Sequence, residues 1–241
     1  MVRSPVLTIA AVQPACKAND VPANVLSHAA AVRAAQAKVV VFPELSLTGY
    51  ELEAAPVAPT DAALSILVEA CAVKDSIALV GAPVGGEDGR LHIATLCVSR
   101  RGVGVAYRKC YLGGEESARF SPGPGPAVLD VDGWRLGMGI CKDTGVAEHV
   151  SDTVALGIDV YVAGLVHTRE ELPVQEMRAA SIAREGNAFV AFASFAGPTG
   201  GGYERTAGSS GIWSPEGEVL ASAGPEVGGI ARASLRGTTT D

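Results

Sequence analysis

An α/β protein, a mixed sheet covered by helices, is the fold class this chain predicts, and three features of its pattern carry that expectation. Short apolar β-forming runs alternate with helical spacing over 6–42 and again over 134–166, the mark of strand, helix, strand units. Between them, closely spaced strands separated by glycine turns break the alternation, so part of the sheet must pair antiparallel. The 241 residues are 48% hydrophobic, enough for one large domain or two small ones, and no linker interrupts them.

The first strand covers 6–12 and ends at Gln13-Pro14. Asp20 offers an N-cap, and Pro22 suits the first turn of an alanine-rich helix that runs to about residue 37. The next strand, 39–42, stops at Pro43, which has no N–H to continue a ladder. Glu44 then lies just past a strand end, at the edge where open α/β sheets place their ligands. On local grounds it reads first as a capping carboxylate and second as a catalytic one. A helix from Thr60 or Asp61 through about residue 74 leads to a third strand, 77–81. A β-meander follows: a turn at 85–89, a strand over 92–99, a tight turn at Arg100-Arg101-Gly102 and a strand over 103–108. It delivers Lys109, which taken alone reads as a solvated charge.

Residues 113–123 form a loop by their glycines and prolines, with the acidic pair Glu115-Glu116 inside it. Strands over 129–131 and 134–140 bracket Asp132-Gly133 as a hairpin, and Gly137 and Gly139 mark places where another backbone comes close. Cys141 ends this hairpin. The polar Lys142-Asp143-Thr144 follows, then a helix over 146–156 and a buried strand over 158–166. A cysteine in such a turn lies near a helix N-terminus, whose free N–H groups and dipole are expected to favour the thiolate. Cysteine is equally a common small core residue, so this window leaves both readings open. A helix over 172–185 ends at Gly186-Asn187, and a strand covers 188–194. The glycine-rich 197–202 lacks the Lys-Ser/Thr of a phosphate loop and opens no helix, so it reads as a flexible loop and not a nucleotide site. A hairpin around Pro215-Glu216-Gly217, a last strand over 229–233 and a frayed tail from about 236 to 241 complete the chain. Each half runs strand, helix, strand and then hairpin, a layered sandwich of duplicated character.

A net charge of −7 without a basic stripe argues against nucleic acid and membrane surfaces as partners and for a small-molecule ligand. The five cysteines, Cys16, Cys71, Cys97, Cys110 and Cys141, form neither a disulfide framework nor a CxxC metal pair, which fits a reducing compartment. The apolar N-terminal run is too short for a secretory signal and is closed by Pro14, and no run reaches the ~18 apolar residues of a membrane span. A cytoplasmic protein is expected.

Three segments, taken together and in order, resemble the carbon-nitrogen hydrolase (nitrilase) superfamily. They are Pro43-Glu44-Leu45 through Gly49-Tyr50, Tyr107-Arg108-Lys109 through Leu112, and Gly139-Ile140-Cys141-Lys142-Asp143. Supporting matches are Ala11-Val12-Gln13 with Asn24, the stretch 178–185, and the stretch 208–217. The resemblance implies one domain over 1–241 with a four-layer αββα sandwich, commonly a homodimer or higher homo-oligomer, and no metal or organic cofactor. It implies a Glu-Lys-Cys triad in which Cys141 is the nucleophile, Glu44 the general base and acid, and Lys109 an oxyanion stabiliser. The backbone N–H of Lys142 is implied as the second oxyanion donor. Glu116, before Phe120-Ser121-Pro122-Gly123, matches the family's additional glutamate, with Glu115 one residue away.

Thiolate attack on a carbonyl carbon needs a base, a cation near the developing charge and an acid for the leaving nitrogen, which are the groups these positions supply. The chain departs from the nitrile hydrolysers, which tend to carry Trp-Glu after the cysteine; here Lys142-Asp143 looks more like the amidase and carbamoyl-amide branches. A small linear amide, of ω-amide or N-carbamoyl type, is the expected substrate, with a nitrile, or acyl transfer to an amine, as alternatives. The chain also departs from the family at Gly164-Leu165-Val166-His167-Thr168, where many members carry an aromatic residue. His167 is a candidate substrate contact there, beside its plainer reading as a hydrogen-bonded loop residue.

Overall fold

The computed structural model describes residues 4–237. Its first half contains strand β1 (Val6–Val12), helix α1 (Val21–Ala35), strand β2 (Val39–Val41), helix α2 (Ser65–Lys74) and strands β3 (Ile77–Gly85), β4 (Leu91–Ser99) and β5 (Gly102–Arg108). The second half contains β6 (Val128–Val131), β7 (Trp134–Ile140), α3 (Ala147–Ala155), β8 (Val160–Leu165), α4 (Leu172–Gly186) and β9 (Phe189–Ser194). The short β10 (Ala196–Gly197), β11 (Thr206–Ala207), β12 (Gly211–Trp213) and β13 (Val219–Ser222) lead to β14 (Ile230–Arg236). Arg236 therefore belongs to the last strand and not to a tail, and 238–241 lie outside the described residues.

The expected caps form. Asp20 accepts the Ala23 N–H at 3.1 Å to start α1, and Asn187 takes the left-handed conformation that ends α4. The helix expected from residue 60 divides: Asp61 caps a 3₁₀ turn, Ala62–Leu64, and α2 starts only at Ser65.

Two six-stranded sheets result, in the orders β14-β1-β2-β3-β4-β5 and β13-β12-β9-β8-β7-β6. The first pairs antiparallel, parallel, parallel, antiparallel, antiparallel from β14 onward, and the second repeats that sequence from β6 onward. The two halves are topological copies. The one exception is that the first strand of the first sheet comes from the far end of the chain.

Period-two burial on both faces stacks the layers. In β2, Val39 and Val41 face the core between the sheets, while Val40 faces the layer under α1 and α2. In β8, Val160 and Val162 face the central core, while Tyr161 and Ala163 pack under α4. Helices cover sheet, sheet covers sheet and sheet covers helices, a four-layer αββα sandwich. Among the described residues no helix is long and apolar enough to cross a membrane.

Candidate active site

Glu44 reaches the centre because its turn passes between the sheets. Pro43 ends β2, Leu45 adopts φ +50°, and the turn is held by Leu47 N–H to Gly81 O at 2.9 Å and Gly81 N–H to Ser46 Oγ at 3.1 Å. Only glycine fits on either side. A Cβ on Gly81 would fall on the Leu45 nitrogen, and one on Gly164 of β8 would come within 2.6 Å of Phe42 O and 2.8 Å of Glu44 N. The Glu44 turn is thus clamped by one glycine from each sheet.

Lys109 follows β5 and is 1% exposed, which overturns its reading as a solvated charge. The chain after Arg108 leaves the sheet edge inward, with the Lys109 N–H on Ile93 O at 2.8 Å, so the ammonium enters the core. Its Nζ donates to Glu44 Oε1 and to Glu116 Oε1, both at 2.7 Å. Glu116 opens a 3₁₀ turn, Glu116–Ala118, and also accepts the Tyr50 hydroxyl at 2.7 Å and the Gly113 N–H at 2.5 Å. Glu115 makes no such contacts and lies exposed, so the accessory carboxylate beside Lys109 is Glu116. Glu44 spends one oxygen on Lys109. Its Oε2 is buried with no hydrogen-bond partner.

Cys141 stands between β7 and a 3₁₀ turn, Cys141–Gly145, at φ +39°, a conformation costly for a side chain other than glycine's. Its Sγ points toward Val166 O at 3.5 Å. Thr144 Oγ1 donates to Cys141 O at 2.6 Å, and buried Asp143 accepts the N–H groups of Ile140 (3.0 Å) and Tyr111 (2.8 Å) and the hydroxyl of Tyr107 (2.8 Å). Asp143 thereby ties the cysteine turn to the segment carrying Lys109. The chain of hydrogen bonds continues: the Tyr107 hydroxyl lies 2.7 Å from His149 Nε2, and the Tyr161 hydroxyl 3.1 Å from His149 Nδ1. With the proton on Nε2 every donor in this chain has an acceptor. Beyond the polarity of Asp143 this network leaves no mark on the sequence, because Tyr107, Asp143, His149 and Tyr161 lie on four different elements.

The electrostatics follow from burial around one cation. Burial pushes the Glu44 carboxyl up to about 7; the Lys109 ammonium opposes this and the Glu116 carboxylate adds to it. Burial works against the Lys109 charge, but Glu44, Cys141 and Glu116 outweigh it and hold the ammonium above its ordinary range. For Glu116, burial is outweighed by Lys109 and the Gly113 N–H, so it stays below the usual carboxylate range. Burial, and then the neighbouring Glu44 carboxylate, push the Cys141 thiol up to about 12 against the pull of Lys109. The expectation of a dipole-favoured thiolate is therefore corrected. Helix α3 begins only at Ala147, the sulfur is desolvated although part of the residue reaches the surface, and an anionic carboxylate faces it.

Lys142 turns its side chain away, donating Nζ to Leu112 O at 2.6 Å, while its N–H occupies the first turn of the 3₁₀ segment, where helical bonding leaves donors free. His167 is 4% exposed and bonded through Nδ1 to Gln175 Oε1 at 3.3 Å; burial lowers its pKa. Glycines 200 to 202 do not form a loose loop. Thr199 O accepts the Tyr50 N–H at 2.9 Å, and Glu51 Oε1 accepts the Gly201 N–H at 3.2 Å. Among the described residues no group of three or more His, Cys, Asp or Glu side chains could hold a metal ion.

The sequence profile described as carbon-nitrogen hydrolase matches residues 8–240. A protein of Pseudomonas protegens known as the hydrolase in the pqqF 5′ region is 29% identical over 214 residues, covering 82% of this chain and 71% of that one. An (R)-stereoselective amidase from a Pseudomonas species is 28% identical over 202 residues, covering 82% of this chain and 73% of its own length. Among solved structures, a mutant of the Nesterenkonia AN1 amidase from the nitrilase superfamily superposes with a TM-score of 0.85 at 25% identity, covering 98% of this chain and 93% of that one.

Proposed function

Because the chain belongs to the carbon-nitrogen hydrolase family, we propose that it hydrolyses the carbon–nitrogen bond of a small linear amide through an acyl group carried on Cys141. The observation that carries this reading is the idle Oε2 of Glu44, a buried acceptor on a carboxyl poised near 7 beside a thiol. That is the arrangement of a base waiting for a proton.

In the first half-reaction Glu44 takes the Cys141 proton as the sulfur attacks the amide carbon. The proton leaves the sulfur only as the carbon–sulfur bond forms, so a thiol pushed up to about 12 is no obstacle: no free thiolate has to accumulate. The carbonyl oxygen gains the negative charge and is met by the Lys109 ammonium and the Lys142 N–H. Glu44 then returns its proton to the nitrogen, the carbon–nitrogen bond breaks, and ammonia or an amine departs to leave a thioester. In the second half Glu44 deprotonates water, the hydroxide attacks the thioester carbon, and the carbon–sulfur bond breaks to release the acid and regenerate the thiol. Glu116 holds Lys109 in place throughout.

An amide in preference to a nitrile is supported by Lys142-Asp143 after the nucleophile and by the amidases among the similar proteins. Within linear amides, ω-amides and N-carbamoyl compounds are the classes to try first. The test is rapid quenching with a panel of these amides, followed by intact-protein mass measurement and ammonia assay. A transient acyl mass located on Cys141 with release of ammonia is expected, and Cys141→Ala should yield neither. Ammonia released at the same rate by Cys141→Ala would overturn the assignment.

A further inference from the structure

Tyr203 takes no part in the proposed chemistry, yet the fold sets it against Tyr50, beside the site. The paired strands β10 and β11 close a hairpin, and inside it Gly200, Gly201 and Gly202 turn the chain with φ of +91°, +56° and +82°. The Tyr203 N–H donates to Gly200 O and the Thr199 N–H to Tyr203 O, each at 3.0 Å. The bonds from Tyr50 to Thr199 and from Gly201 to Glu51 fasten this tip to the segment after Glu44, and a Cβ on Gly201 would fall on Tyr50 O. The tip is fixed at that spot.

There the Tyr203 ring meets the Tyr50 ring edge-on, with centroids 5.0 Å apart and planes at 76°. The Tyr50 hydroxyl is the one bonded to Glu116. A single aromatic contact therefore separates Tyr203 from the carboxylate that holds Lys109. Glu44, Lys109 and Glu116 are at most 2% exposed, whereas Tyr203 is part-buried and reaches solvent. Burial and then the fields of Cys141, Glu171 and Glu44 raise its phenol, so its ring lies within the electrostatic reach of the site. Among the described residues its hydroxyl has no hydrogen bond.

We propose that Tyr203, braced on Tyr50, sets the width of the entrance to Cys141, so that slender unbranched acyl groups are accepted and branched or aromatic ones are turned away. The substrate half of this inference rests on the amide-hydrolase reading; the entrance itself does not. Two measurements separate them. In the first, kcat/KM is compared for propionamide and for isobutyramide and benzamide. Tyr203→Ala is expected to raise the bulky-to-slender ratio at least about tenfold, the scale on which a pocket reads one or two carbon atoms, and Tyr203→Phe, which keeps the ring, to leave it within about threefold. In the second, the sulfur of Cys141 displaces iodide from iodoacetamide or from its N-phenyl derivative, forming a thioether read on the Cys141 peptide.

The ratio of the two alkylation rates should shift toward the larger reagent in Tyr203→Ala, and by less in Tyr203→Leu, which also serves should the alanine variant fail to fold. A shifted alkylation ratio in a protein that hydrolyses no amide would retain the entrance and sink the amide reading. Unchanged ratios in variants with native circular dichroism would overturn the role of Tyr203.

Discussion

Lys109 shows why a single residue's surroundings, and not its type, decide what it does. A lysine after a strand is ordinarily solvated, and this one is buried between two carboxylates, where burial costs the charge less than the two partners return. Lys109→Ala should lower kcat by about two to three orders of magnitude, the usual cost of losing an oxyanion donor; a loss below about tenfold would remove it from that role. Circular dichroism belongs beside that assay, since the variant leaves Glu44 and Glu116 without their cation. Glu44 makes a second prediction at this scale. In its proposed role as base it works ionised, and its carboxyl is pushed up to about 7, so kcat/KM should rise with pH through about 7 and level off above it. Glu116→Gln removes a negative charge that raises Glu44, so the rise should move to lower pH. A rise centred in the ordinary carboxylate range of the wild-type protein would contradict a desolvated Glu44.

At the scale of elements, the site is the meeting of three strand ends: the turn after β2, the end of β5 and the turn after β7. Asp143 couples the last two by accepting from both Tyr111 and Ile140, and His149 and Tyr161 brace it through Tyr107. The strands, the turn at Pro43 and the place of Cys141 were legible in the sequence because they follow from local pattern. The bracing was not, because hydrogen bonds between α3, β5 and β8 leave no mark on any one segment. Gly164 is a similar case. It reads as one more small residue in an apolar strand, and only packing shows that a side chain there would strike the backbone of the Glu44 turn. Gly164→Ala should displace that turn and lower kcat by about a hundredfold with little change in KM, since a shift on the order of 1 Å in a reacting group costs that much. Wild-type kcat in this variant would mean that the two sheets can part without cost.

Across the whole molecule, two copies of one sheet topology meet face to face, and the groups they bring together come from both. Glu44 and Lys109 belong to the first copy and Cys141 to the second, so the site exists only when the sandwich is closed. One buried histidine links this packing to pH. His28 on α1 stacks on Phe42 with centroids 4.2 Å apart, bonds Asn24 O through Nδ1 at 2.6 Å, and has a buried Nε2 with no partner. Burial lowers its pKa to about 4, against the pull of Asn24 O. The unfolded chain binds the proton more readily, so the stability of the neutral, buried form is complete well above the ordinary value near 6.5 and is lost as pH falls toward 4. Between pH 7 and 5 the loss should be about 2 kcal/mol, from 1.36 kcal/mol per pH unit. Denaturant unfolding across that range should show it, with a flatter profile in His28→Phe; equal slopes in the two proteins would exclude His28 as the cause.

By itself the sequence determined the element order and the duplicated strand, helix, strand pattern, which are written in local spacing, and through three contiguous motifs it marked Glu44, Lys109 and Cys141 as candidates. The tertiary structure decided which charges are buried. It made Glu116, not Glu115, the partner of Lys109, turned the Lys142 side chain outward, held the thiol as a thiol, and fastened the glycine-rich tip so that Tyr203 rests on Tyr50. The physical reason is the same in each case. Desolvation and charge pairing depend on what crosses from other elements, and that is fixed only when the two sheets close on each other.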